Sequence, residues 1–131
     1  MTMDYGLDVI ISSFIRYTEL SAVKYDAEKD IIKIEVVLNG CIGDEHRSRF
    51  NSRYRQSMAL FHKMLNIEAA YMKLDFIENY GITVLRLYRE SQSLREDEIE
   101  LYVLLLRREF ASLLVRDDND CLLYTSDAAD E

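Results

Sequence analysis

The chain has 131 residues, of which 49% are hydrophobic and 31% charged, with 24 acidic against 16 basic side chains and a formal net charge of -8. Such a composition describes one globular domain and excludes collagen-like, low-complexity and disulfide-framework chains. The acidic balance also argues against a protein that coats nucleic acid through bulk positive charge.

Residues 3–17 are expected to be helical, because Leu7, Ile10, Ile11 and Phe14 recur on one helical face and Asp4 suits the N-cap. Residues 19–26 and 31–38 read as a hairpin. Val23 and Tyr25 alternate with Lys24 and Asp26, and Ile32, Ile34, Val36 and Leu38 alternate with Ile31, Lys33, Glu35 and Val37. Ala27 to Asp30 form the turn, and Asn39 to Gly43 break the second strand. A helix over 44–65 follows from the spacing of Phe50, Tyr54, Met58, Phe61 and Leu65, with Asp44 and Glu45 at its positive end and Lys63 at its negative end. A second hairpin, 69–77 and 81–88, turns at Asn79-Tyr80-Gly81. The last helix spans 94–116, opened by a Ser93–Glu96 capping box.

The expected fold is α+β and two-layered: a four-stranded, mostly antiparallel sheet with helices, in the order α-ββ-α-ββ-α. That order is similar to the element order of roadblock/longin and profilin-like folds, and order alone implies no function. The two ββα halves match at an offset of 49, with Glu19 on Glu68, Lys24 on Lys73, Asp26 on Asp75 and Phe61 on Phe110. An internal ββα duplication is one reading; a hydrophobic pattern shared by any two such units is the other.

Three constellations could carry function. The first is the loop Gly40, Cys41, Gly43, His46, Arg47, where glycines before a helix could bring backbone N–H groups to an anion. Cys41 and His46 could also pair there as nucleophile and base. The plain alternative is a turn leading into a capped helix. No Gly-Lys-Ser/Thr follows, and Asp44 and Glu45 would repel a phosphate. The second is Arg47, Arg49, Arg53 and Arg55, interleaved with Phe50 and Tyr54. The aromatics belong to the core face, so the arginines are expected to pair with acids, Glu96, Asp97 and Glu98 being candidates. The third is the last helix. Ile99, Tyr102, Val103, Leu106, Phe110, Leu113 and Leu114 make one apolar face, and Leu101, Leu104, Leu105 and Val115 fall on the other side. Such a helix is either sandwiched inside the fold or covered by a partner. No catalytic set, cofactor motif or metal-ligand array is expected; His46 and His62 lie too far apart on one helix to share an ion.

Residues 121–131, Cys-Leu-Leu-Tyr-Thr-Ser-Asp-Ala-Ala-Asp-Glu, resemble an in-frame translation of a transposase-type sequencing-library adapter. They are read as a non-native, disordered tail following one domain of residues 1–120, itself expected to be a truncated fragment. Cys41 is then the single cysteine, which points to no oxidising compartment. The longest apolar run, Leu101 to Leu106, falls far short of the ~20 residues of a membrane span. The expectation is a cytoplasmic interaction or regulatory module, not an enzyme, whose partner is a protein, foremost itself, rather than a membrane or nucleic acid. The alternative is a small enzyme or anion-binding domain built on the Gly40–Arg47 loop.

Overall fold

Alternation of apolar and polar residues builds one antiparallel sheet. The computed structural model describes residues 5–115, with side chains from Ile11 onward. In chain order these form α1 (Tyr5–Arg16), β1 (Ala22–Asp26), β2 (Ile31–Asn39), α2 (Asp44–Leu65), β3 (Met72–Asn79), β4 (Ile82–Glu90) and α3 (Glu96–Phe110). The strands lie in the order β1-β2-β4-β3, with every pair antiparallel. The fold is therefore the expected α-ββ-α-ββ-α.

Ile32, Ile34, Val36 and Leu38 of β2 and Thr83, Leu85, Leu87 and Arg89 of β4 are buried on one side of the sheet. Phe50, Tyr54 and Met58 of α2 and Ile99, Tyr102, Val103, Leu106 and Phe110 of α3 join their apolar members in a single core. Burying each such side chain contributes roughly 1.5–3 kcal/mol relative to exposure. α3 contacts both α1 and α2. Of the apolar residues on its second side, Leu101 and Leu105 are partly buried against the core and Leu104 is half-exposed.

Turn chemistry fixes the hairpins. Tyr80 and Gly81 both have positive φ, 51° and 78°, the conformation a two-residue hairpin loop demands. α2 stops at Asn66, whose left-handed φ of 58° lets Ile67 N–H reach the His62 carbonyl at 2.8 Å.

Several expectations need correction. Ser93 does not cap α3. The helix begins after Arg95 with no side-chain cap, because the Ser93 hydroxyl is engaged by Glu90 and Arg89. α3 also ends at Phe110 rather than 116, giving way to a short 3-10 turn, Ala111–Leu113. β1 covers β2 only up to Glu35, so the edge beyond it is open to pairing. The chain turns there: Leu114 bridges Leu38, and Val115 N–H donates to the Val37 carbonyl at 3.0 Å. The buried stripe of α2 is Phe50, Tyr54, Met58 and His62; Phe61 is half-buried and Leu65 exposed. A step of four held throughout carries the stripe to His62. Among the described side chains of α1, Ser13 and, just beyond its end, Tyr17 are buried, while Ile11 and Phe14 are exposed. Finally, β2 and β4 begin 51 residues apart and α2 and α3 begin 52 apart, so the halves align two or three residues away from the offset of 49. The structure repeats the ββα order at this longer spacing. The expected N-cap at Asp4 and the expected tail of residues 121–131 lie outside the described residues.

Candidate functional site

The Gly40–Arg47 loop is tied into the fold at nearly every point. Gly40, at φ 104°, donates its N–H to the Gly81 carbonyl at 3.0 Å, and its own carbonyl accepts from the Thr83 hydroxyl at 2.8 Å. Gly43 is the N-cap of α2, with no side-chain cap hydrogen bond. Arg47 Nε donates to the Ile42 carbonyl at 2.8 Å, and its guanidinium lies 5.6 Å from the Phe76 ring centroid.

Cys41 and His46 are not brought together as a reacting pair. The exposed Cys41 thiol is hydrogen-bonded to Glu78, which pushes its pKa up, away from the thiolate a nucleophile needs. His46 Nε2 instead lies 2.9 Å from Glu109 Oε2.

The arginine cluster pairs with acids, but not those expected. Arg49 Nε donates to Glu109 Oε2 at 3.0 Å and Arg53 Nη1 to Glu109 Oε1 at 3.2 Å. With His46 these groups converge on one carboxylate that is only 6% exposed, which links α2 to the end of α3. Arg47 Nη2 lies 3.5 Å from Glu78. Glu96 pairs with Arg16 and Asp97 with Arg95, leaving Glu98 for a different partner.

That partner is Arg89, which the sequence reading missed. Arg89 is fully buried at the end of β4. Its Nε and Nη2 grip both oxygens of Glu98, at 2.7 and 2.8 Å, and its Nη1 reaches Glu90 Oε1 at 2.5 Å. His62 Nε2, from the end of the α2 stripe, lies 2.9 Å from Glu98 Oε1. Burial pushes the Glu90 pKa up. The hydrogen bonds from Ser93 and from the Ala70 and Tyr71 backbones, with the Arg89 charge, outweigh that and hold it below its usual value. Nearby, Tyr54 and Tyr102 are buried and their hydroxyls make no hydrogen bond to another described residue. Burial pushes both phenol pKa values up, so they stay neutral. The available signal was positional: Arg89 continues the inward alternation of Leu85 and Leu87, and His62 continues the four-residue step of α2. Among the described residues no group of three or more His, Cys, Asp or Glu side chains could hold a metal ion.

Of the remaining candidates Leu101, Leu104 and Leu105 lie on α3, whereas Val115 lies beyond its end at the β2 edge and does not share their helix face. Leu104 is 50% exposed and Val115 42%, while Leu101 and Leu105 are partly buried. Glu96, Glu100, Leu104 and Arg107 follow one stripe of α3, spaced four, four and three. Its ends are held to α1 and the turn behind it: Arg16 Nη1 meets Glu96 at 2.8 Å and Arg107 Nε meets Glu19 at 2.8 Å. Leu104 therefore stands on the α1 side of α3. On α1, Ile11 and Ile15, one turn apart, are 56% and 77% exposed.

No family model, curated protein or solved structure matches the chain. No helix among the described residues is long and apolar enough to cross a membrane.

Proposed function

We propose that this protein is a non-enzymatic, cytoplasmic interaction module that self-associates through the outer side of its helix layer. The observation that carries this reading is the exposure of Ile11 and Ile15 on α1 and of Leu104 on α3, two helices that contact each other. An amphipathic helix ordinarily turns its apolar side inward. Among the described side chains of α1, Ser13 is buried while Ile11 and Ile15 are exposed, which leaves these two open to a partner. Contiguous apolar patches of a few hundred Å² on a monomer mark contact sites. A two-fold axis counts each residue twice, and each exposed Ile or Leu that becomes buried contributes up to roughly 1.5–3 kcal/mol against the cost of association.

Substitution separates this face from the other exposed apolar pair, Leu60 and Met64 on α2. Ile15→Glu and Leu104→Glu should each give a folded monomer by sedimentation and circular dichroism, and Met64→Glu should leave the association intact. Dissociation by Met64→Glu alone would move the interface to α2 and overturn the proposal.

A further inference from the structure

The sheet side away from the helices carries a lysine-rich row that its own contacts compensate only in part, Lys73 Nζ lying 5.5 Å from the Tyr88 ring centroid. The strand registers place Lys24 opposite Lys33, Lys33 opposite Tyr88, and Tyr88 opposite Lys73. One residue from each strand thus forms a line across the sheet, and three of the four are lysines. Like charges directly opposite on neighbouring strands are destabilising, and this chain is acidic overall.

The row two residues along is balanced internally. There Arg86 Nε donates to Glu35 at 2.9 Å, and Asp75 stands opposite Arg86. In the lysine row Lys33 reaches Glu35 only at 3.8 Å, a carboxylate already committed to Arg86, and Lys73 lies 3.5 Å from Asp75. Among the described residues neither Lys24 nor Lys29 has an ion-pair partner.

These side chains surround a recess of about 660 Å³, lined by Lys24, Lys29 and Lys33 with Tyr71 and Tyr88. That volume falls among those of small-molecule sites. Two acids also line it, and both are occupied. Asp26 Oδ1 accepts the backbone N–H groups of Glu28 and Lys29, and Glu90 is held by Arg89. Three lysines against two carboxylates leave the lining with one positive charge in excess, and ammonium and phenol groups line it from β1, its turn, β2, β4 and the segment before β3.

We propose that this recess binds a multiply charged phosphate group, as carried by inorganic polyphosphate or by a nucleotide. The lysines would supply the charge-assisted hydrogen bonds, and a ligand anion would relieve the Lys24–Lys33 repulsion. The half-exposed Tyr71 is placed to stack on a nucleotide's base. The site lies on the sheet and the proposed self-association on the helices, so either can fail alone.

Isothermal titration of the full chain with ATP and, separately, with tripolyphosphate tests it. Saturable binding of at least one probe, one per chain, is expected. Lys24→Ala and Lys33→Ala combined should weaken it at least about tenfold, a change of about 1.4 kcal/mol, while Lys63→Ala on α2 changes nothing. ATP binding tighter than tripolyphosphate, with the excess lost in Tyr71→Ala, identifies a nucleotide; equal binding identifies the phosphate alone, and both support the site. No saturable binding of either probe, or binding indifferent to Lys24 and Lys33, overturns it.

Discussion

The two ββα halves share an outline and differ in what they bury. β2 turns Ile32, Ile34, Val36 and Leu38 inward, and the equivalent positions of β4, 51 residues on, are Thr83, Leu85, Leu87 and Arg89. At the 52-residue helix offset, half-exposed His46 of α2 corresponds to buried Glu98 of α3. The buried residues of β2 are thus all hydrocarbon, while β4 carries an arginine that pairs with Glu98 in the core. The first tolerates any side chain of suitable volume. The second is particular, because each buried charge requires the other.

The largest expected effect comes from breaking that pair. Arg89→Ala leaves Glu98 and Glu90 buried without their cation and should cost about 3–5 kcal/mol in urea unfolding. Arg89→Met combined with Glu98→Leu and Glu90→Gln should recover much of this, since it removes both carboxylate charges together with their cation and apolar residues of similar volume replace buried ion pairs well. An Arg89→Ala chain as stable as the unaltered one would erase the contrast between the halves.

A smaller effect follows from pH. Glu90 is held below its usual pKa of 4.5, and Asp30, hydrogen-bonded first by Ser91 and then by Tyr25, below 3.8. Carboxylates with depressed folded-state pKa values stabilise the fold above those usual values and lose that contribution as pH falls through the depressed ones. The melting temperature should therefore fall steadily below a pH of 4.5, and Glu90→Gln combined with Asp30→Asn should flatten the decline. An equally steep decline in that variant would assign acid sensitivity elsewhere.

Tyr102→Phe removes a buried hydroxyl without a hydrogen-bond partner among the described residues. It should leave stability within about 1 kcal/mol, or raise it, because an unmade buried hydrogen bond carries a desolvation cost. A loss above about 2 kcal/mol would show that the hydroxyl is bonded. The smallest effect concerns the turns. The first hairpin places Asp30 at φ 58°, which Asp tolerates, and the second places Tyr80 at φ 51°. Tyr80→Asn should stabilise by about 0.5 kcal/mol, and a loss would show that the exposed ring makes a contact of its own.

Local signals were legible and long-range ones were not. The bounds of α2 and the Asn79-Tyr80-Gly81 turn follow from periodicity and turn chemistry, which act over a few residues. The early end of α3 depends on β1 being too short to cover Val37, a fact of strand pairing that the sequence around Leu114 does not contain. The acid pairing Arg49 and Arg53 was sought at Glu96 to Glu98, near the α3 N-terminus, because only helix order was known; packing brings up Glu109 instead. Arg89 was passed over because an arginine on an alternating strand reads as outward until its carboxylate, nine residues on, is seen beneath the helix.

Sedimentation equilibrium of the unaltered chain tests the proposed self-association most directly, over a concentration series from roughly micromolar to sub-millimolar. The account predicts a weight-average mass that rises to that of two chains within this range and returns to one in the Leu104→Glu variant. A single-chain mass at every concentration, with Ile11, Ile15 and Leu104 still exposed, would contradict it.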